Sequence, residues 1–210
     1  MAALVVKDAM QGDDEAARRG AAVWFTGLPG SGKSSVARAV KKALESRGIL
    51  SIHLQMDARR KVYFPKPRYT GEERDEAYRL FAEEAASLAE QGKIVLMDAS
   101  APKRSMRRYA RGLIGAFAEV FVRCSLATAM RREAARPEGL VMAGLYAKAI
   151  KRKATGERFE GLGQVIGVDV PFEEDENAEA VIDAERLSPE EAARDILAKL
   201  SWLLASPIAP

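Results

Sequence analysis

Residues 27–34 read GLPGSGKS, a pair of glycines bracketing four residues and followed by Lys and Ser. What gives this G-x-x-x-x-G-K-[ST] spacing meaning is its setting: the apolar run AAVWFT (21–26) precedes it, and Val36, Val40 and Leu44 recur on one helical face after it. Gly27, Gly30 and Gly32 let the backbone turn so that consecutive N–H groups converge on phosphate oxygens, and the start of the following helix adds its positive end. Lys33 is spaced to bridge the β- and γ-phosphates and Ser34 to ligate Mg²⁺. The whole run Gly27, Leu28, Pro29, Gly30, Ser31, Gly32, Lys33, Ser34 and Ser35 is therefore expected to bind ATP. It does not say what is done with the nucleotide.

Outward from this loop, ILSIHL (49–54), KIVLMD (93–98), AEVFVRC (118–124) and AEAVIDA (178–184) read as further strands, alternating with helical stretches. That alternation predicts an α/β fold: a P-loop NTPase-like three-layer αβα sandwich with a five-stranded parallel sheet. Gly48 and Gly92 stand where left-handed caps end helices, and Thr70 with Glu73 has the T-x-x-E form of a capping box. Ser188, Pro189 and Glu191 repeat the start signal before the stripe Ile196, Leu197, Leu200, Leu203 and Leu204. Two stretches lack an apolar period: ARRKVYFPKPRY (58–69), read as an irregular substrate loop, and residues 131–172, read as a mobile lid. Residues 1–20 are set apart as an N-terminal extension, with a single kinase domain over 21–210.

Composition narrows the partners. Among 210 residues the 33 basic and 30 acidic side chains nearly cancel, so the dense positive field of a nucleic-acid binder is missing and small anions are the expected ligands. No segment approaches the roughly 20 apolar residues that span a bilayer. The lone Cys124 cannot form an internal disulfide, and with no export signal at the start of the chain this fits a cytoplasmic setting.

Two carboxylates end strands at the edge where the loop lies. Asp98 closes IVLMD and is expected to hold Mg²⁺ through water, and Asp57, closing the second strand, is expected to be the acceptor-side base. Arginines surround them: Arg60, the helical face Arg104, Arg108 and Arg111, and Arg131, Arg132 and Arg136 after the fourth strand. Cations around a moving phosphoryl group have a clear role, although most surface arginines are simply solvated. His53, inside a strand, reads as a core or edge histidine. Tyr63, Phe64 and Tyr69 either stack on a base or plug the loop onto the core.

At these residues the chain resembles the adenylylsulfate kinase family, which transfers the ATP γ-phosphoryl to the 3′-hydroxyl of adenosine 5′-phosphosulfate, and the resemblance runs from about Ala21 to Leu200. GLPGSGKSS is similar to the family's glycine loop, with Pro29 standing for a Ser and Ser35 for a Thr. QMDARR resembles D-G-D-N-V-R and implies Asp57 and Arg60 as acceptor-site and catalytic residues beside Lys33. YTGEERDEAYR implies Tyr69, stacking on the acceptor adenine, and Arg74; SAPKR implies Pro102 and Arg104; GLYAKA (144–149) implies Lys148 on the lid. Arg132 matches an arginine near the ATP base, and VIGVDVPFE resembles a lid motif through Gly167 and Asp169. A homodimer is a further expectation carried by the resemblance. Departures gather on the acceptor side, where Ala58, Ala77, Ala99, Ala101, Gly163 and Val165 replace larger or polar family residues.

The expected function is thus an ATP-dependent small-molecule kinase with adenosine 5′-phosphosulfate as first acceptor. The alternatives are a kinase of the same family acting on another nucleotide or hydroxylated metabolite, and a non-kinase P-loop ATPase or regulatory switch.

Overall fold

The computed structural model describes residues 20–135 and 144–204. The N-terminal extension up to residue 19, Arg136, part of the expected lid and the side chain of Leu204 lie outside the described residues.

Five parallel strands form the sheet: β1 (Ala21–Thr26), β2 (Ser51–Gln55), β3 (Ile94–Asp98), β4 (Phe117–Arg123) and β5 (Ala180–Asp183), in the order β2-β3-β1-β4-β5. The central strand is buried along its whole length, as its uninterrupted apolar run requires when both faces are covered. Ala21, Val23 and Phe25 face one layer, with α1 (Lys33–Glu45) and α7 (Pro189–Lys199) packed over them. Ala22 and Trp24 face the other, under α3 (Gly71–Glu90) and α4 (Arg104–Leu113). There Trp24 packs against Tyr78, Phe81 and Phe117 at ring distances of 6.1, 5.8 and 6.3 Å. Ile196, Leu197, Leu200 and Leu203 complete the first layer across α7 and the short α8 (Ser201–Leu204).

Because the chain leaves β1 toward β2 on one side and leaves β3 toward β4 on the other, the strand order reverses between the neighbouring strands β1 and β3. A crevice opens there at the carboxyl ends of the strands, the place where such sheets bind ligands. Register sets what reaches it: Asp98 pairs with both Phe25 and Gln55, which puts its carboxylate level with the ends of β1 and β2.

Two readings from sequence are corrected. Residues 58–69 are not irregular throughout, since Met56–Tyr63 form a helix, α2, and Asp57 stands in its first turn rather than closing β2. Likewise Arg131 and Arg132 belong to α5 (Leu126–Ala134), and Leu145–Thr155 make α6, so the expected lid carries regular structure. The first helix is stopped as expected by a left-handed glycine: Gly48 N (φ 76°) donates to Glu45 O (3.0 Å) and Ile49 N to Leu44 O (3.0 Å), the bonds of a Schellman cap. At Ser188 the capping box is complete. At Thr70 only half forms: its hydroxyl accepts from Glu73 N, while the Glu73 carboxylate reaches past it to Arg68 N (2.6 Å) and Tyr69 N (3.0 Å). No helix among the described residues is long and apolar enough to cross a membrane.

Candidate active site

The glycine loop joins β1 to α1 with positive φ at Gly27, Gly30 and Gly32 (135°, 86° and 104°). Its close approach to neighbouring backbone makes two of these glycines obligatory, since a Cβ would stand 2.5 Å from Val122 O at Gly27 and 2.3 Å from Ala129 O at Gly30. Gly30→Ala is therefore expected to lower stability by about 1–3 kcal/mol, from the strained φ alone. Thermal unfolding should shift down by several degrees, with nucleotide affinity falling alongside it, and an unchanged melting temperature would contradict this packing.

Around the loop, Tyr146 Oη donates to Pro29 O (2.8 Å), and Arg132 donates to Ser31 O (3.1 Å) and Ala184 O (2.7 Å), tying α6, α5 and the end of β5 to it. Leu28 packs against the small cluster of Ala129, Leu145, Tyr146, Ala149 and Val165. The Lys33 ammonium donates to Leu28 O at 2.8 Å, folded across the loop, with only 8% of the residue exposed. Ser31 Oγ is buried without a partner inside the same loop. A backbone cradle of this kind, with an orphaned hydroxyl and a cation in it, fits a bound polyphosphate.

Asp98 lies behind the loop. Burial pushes its carboxyl up, but His53, the Lys33 ammonium and the Ser34 hydroxyl more than offset that and hold its pKa below the ordinary carboxylate value. His53 Nε2 is 3.5 Å from Asp98 Oδ2, close enough for electrostatic attraction yet outside hydrogen-bond geometry, so the histidine is an edge-strand neighbour of the site rather than a core residue. Ser34 and Asp98 form the hard-oxygen pair that suits Mg²⁺, an ion usually held by one or two protein oxygens together with substrate phosphates. Among the described residues no three His, Cys, Asp or Glu side chains group as an all-protein metal cage.

On the other side of the crevice Asp57 is exposed at the start of α2, and Arg60 is buried one turn on. Arg60 Nη1 lacks a hydrogen bond, 3.5 Å from Glu73 Oε1, and its guanidinium lies over the Tyr69 ring at 5.3 Å. Tyr69 itself sits at φ 57°, a left-handed conformation unusual for a non-glycine residue and fixed here by the bond from its N–H to Glu73. Arg74, another buried guanidinium, donates to Gln164 Oε1 and Gln164 O and so joins α3 to residues 163–165. Burial lowers the Arg74 pKa, with the Arg60 charge adding to it.

Gly163 fits its place by having no side chain, because a Cβ would meet Tyr69 Cβ at 2.3 Å and Tyr69 O at 2.4 Å. Val165 is buried in the cluster around Tyr146. Of the three loop aromatics, Tyr63 and Phe64 plug onto the core, Tyr63 Oη bonding Glu84, and Tyr69 alone stays 36% exposed. Pro102 is buried and its carbonyl accepts from Glu173 N (2.8 Å), while Arg104 engages through its backbone N–H, to Glu173 Oε2 (2.8 Å), and its side chain is exposed. Lys148 is half-buried on α6.

The expected arginine face of α4 is its solvent-facing side. Arg104 and Arg108 point to solvent and Arg111 pairs with Glu179 (2.6 Å), but the buried member is Arg107, which bonds Glu119 of β4 at 3.0 Å. Glu119 was the available signal: a carboxylate inside the apolar run FAEVFVR needs a buried cation opposite it.

A glycine loop at the switch point of a parallel sheet, with Lys, Ser and Asp converging behind it and paired arginines across from it, defines a P-loop phosphotransferase. The family model described as adenylylsulphate kinase matches residues 19–183, and the chain belongs to that family. It is 35% identical over 164 residues to a probable adenylyl-sulfate kinase of Archaeoglobus fulgidus, covering 78% of this chain and 96% of the relative. It is likewise 35% identical over 185 residues to the adenylyl-sulfate kinase of Paraburkholderia xenovorans, covering 88% and 94%. Among solved structures, the APS kinase CysC of Mycobacterium tuberculosis in complex with AMPPNP and APS superposes with a TM-score of 0.72 at 31% identity, over 87% of this chain and 98% of that one.

Proposed function

We propose that the protein transfers the γ-phosphoryl group of ATP to the 3′-hydroxyl of adenosine 5′-phosphosulfate. What supports this reading is the glycine loop with Lys33 after β1, together with buried Arg60 and Arg74 beside exposed Tyr69 in the segment that follows β2 at the same edge of the sheet. N–H groups of residues 27–35 cradle the ATP phosphates, and Arg132 sits at the nucleotide end of the loop. Ser34 and Asp98 are the residues that would hold Mg²⁺, which supplies positive charge to the phosphoryl oxygens.

Asp57 takes the proton of the acceptor hydroxyl as that oxygen attacks the γ-phosphorus, and Lys33 stabilises the charge on the phosphoryl group in flight. Arg60 and Arg74 hold the acceptor's anionic groups, and Tyr69 offers its ring to the adenine. Pro102, Arg104 and Lys148 border the same pocket, with residues 131–172 as the lid over it. The lone thiol of Cys124 agrees with work in the cytoplasm.

One observation favours a second acceptor class. Val165 is buried in the lid cluster and Gly163 lays backbone on Tyr69, so the described residues give the adenine one aromatic face, and each stacked base is worth about 1–3 kcal/mol. A kinase of this architecture could then serve another hydroxyl-bearing anion. Initial rates with a panel of nucleotides and phosphorylated or sulfated metabolites separate the two: the proposal expects adenosine 5′-phosphosulfate to have the highest kcat/KM, and a higher value for an acceptor without adenine would overturn it.

A further inference from the structure

Arg107 is 1% exposed, and its guanidinium bonds three separate parts of the chain. Nε donates to Glu119 Oε2 of β4 (3.0 Å), Nη1 to Ala101 O in the loop after β3 (2.5 Å), and Nη2 to Glu173 O at the end of the lid. Its flat face covers the Phe172 ring at 5.2 Å, and Phe172 stacks on Phe121 at 5.1 Å. The other oxygen of Glu119 accepts from Thr26 Oγ1 (2.9 Å), the residue immediately before the glycine loop. From that loop Gly27 N donates to Ser100 O (3.3 Å), one residue from Ala101.

Ala101 is fully buried at φ 45°, in the left-handed region that a non-glycine residue occupies only when its surroundings over-determine it. Here both of its peptide groups are tied, the N–H to Tyr78 Oη (2.9 Å) and the carbonyl to Arg107. The next residue is Pro102, and Glu173 N returns to the Pro102 carbonyl (2.8 Å). The Arg107 fork thus closes a circuit through the strand feeding the phosphate loop, the acceptor-side loop and the lid's last residues.

We propose that Arg107 is a positioning residue for phosphoryl transfer, setting the distance between the glycine loop and residues 100–104 and fastening the lid's root to both. A buried ion pair by itself is weak evidence of stability, because an apolar pair of similar volume often does as well. What an apolar pair cannot do is hold two carbonyls and a carboxylate from different segments in one plane, and a lysine, with a single ammonium in place of the planar fork, cannot do so either. Such registry matters to a two-substrate reaction, where a misplacement of about 1 Å can cost about 10²-fold in rate.

The inference rests on the acceptor reading above, and its test keeps the two apart. Arg107→Lys keeps the charge opposite Glu119 while losing the fork, and the double variant Arg107→Met with Glu119→Gln removes both charges, so that neither is left buried alone. For each, the melting temperature, the affinity for a non-hydrolysable ATP analogue, and kcat and KM for adenosine 5′-phosphosulfate are measured. Both variants should bind the analogue within about 3-fold of wild type yet lose about 10²-fold in kcat. Wild-type kcat in Arg107→Lys would overturn the proposal, as would losses in which analogue affinity and transfer fall together with the melting temperature. Wild-type inactivity toward adenosine 5′-phosphosulfate would instead overturn the acceptor reading.

Discussion

Lys33→Ala is expected to lower phosphoryl transfer by at least about 10³-fold, equivalent to about 4 kcal/mol of barrier. The ammonium lies across the loop on Leu28 O, and it adds to the potential that holds the Asp98 carboxyl below its ordinary value. A charge held ready in a buried site costs little reorganisation when the transition state forms, which is why its loss falls on kcat. The fold should tolerate the change, because the helix that carries Lys33 is anchored by Val36, Val40 and Leu44. Single-turnover transfer with a melting temperature near wild type would show the loss to be chemical, and a rate within about 10-fold of wild type would remove Lys33 from the site.

Asp57→Asn should divide the two substrates. A positioned general base contributes typically about 10²–10⁴-fold, so transfer at saturating acceptor should fall by that order while the affinity for an ATP analogue stays within about 2-fold. Asp57 stands on α2 across the crevice, exposed and well apart in sequence from the loop residues that would touch ATP. The isosteric amide removes the proton acceptor while keeping the size of the side chain, at a cost of a few tenths of a kcal/mol at the helix N-terminus. A loss confined to ATP affinity would place Asp57 on the nucleotide side.

The central frame could be read from sequence because its signals are local and redundant. GLPGSGKS between an apolar strand and a helical stripe has one structural meaning, and both faces of β1 are buried as AAVWFT requires. The acceptor side yielded less, for physical reasons that differ by residue. Helix α2 buries only Met56 and Arg60, so it has almost no apolar stripe, and Pro65 and Pro67 just beyond it make the surrounding stretch look like loop. Arg107 is one of several arginines in RSMRRYAR, and its burial follows from a partner, Glu119, that is distant in sequence. The positive φ values at Tyr69 and Ala101 arise from hydrogen bonds to Glu73 and to Tyr78 and Arg107, contacts that no propensity encodes.

The same contrast bears on Gly163 and Val165. As sequence they look like losses from an aromatic pocket, whereas in the fold the glycine admits backbone contact with Tyr69 and the valine fills the cluster beside Leu28. Around Tyr69 the chain places main chain at Gly163 and the Arg74–Gln164 bonds, an arrangement that replaces bulk with hydrogen bonding.

The most direct test of the account is the Mg²⁺-dependent release of ADP with and without adenosine 5′-phosphosulfate, with the nucleotide products resolved. At low micromolar acceptor the account predicts one ADP for each 3′-phosphorylated product formed. ATP binding without any stimulation by adenosine 5′-phosphosulfate would contradict it and assign the arginine-lined half of the crevice to a different acceptor.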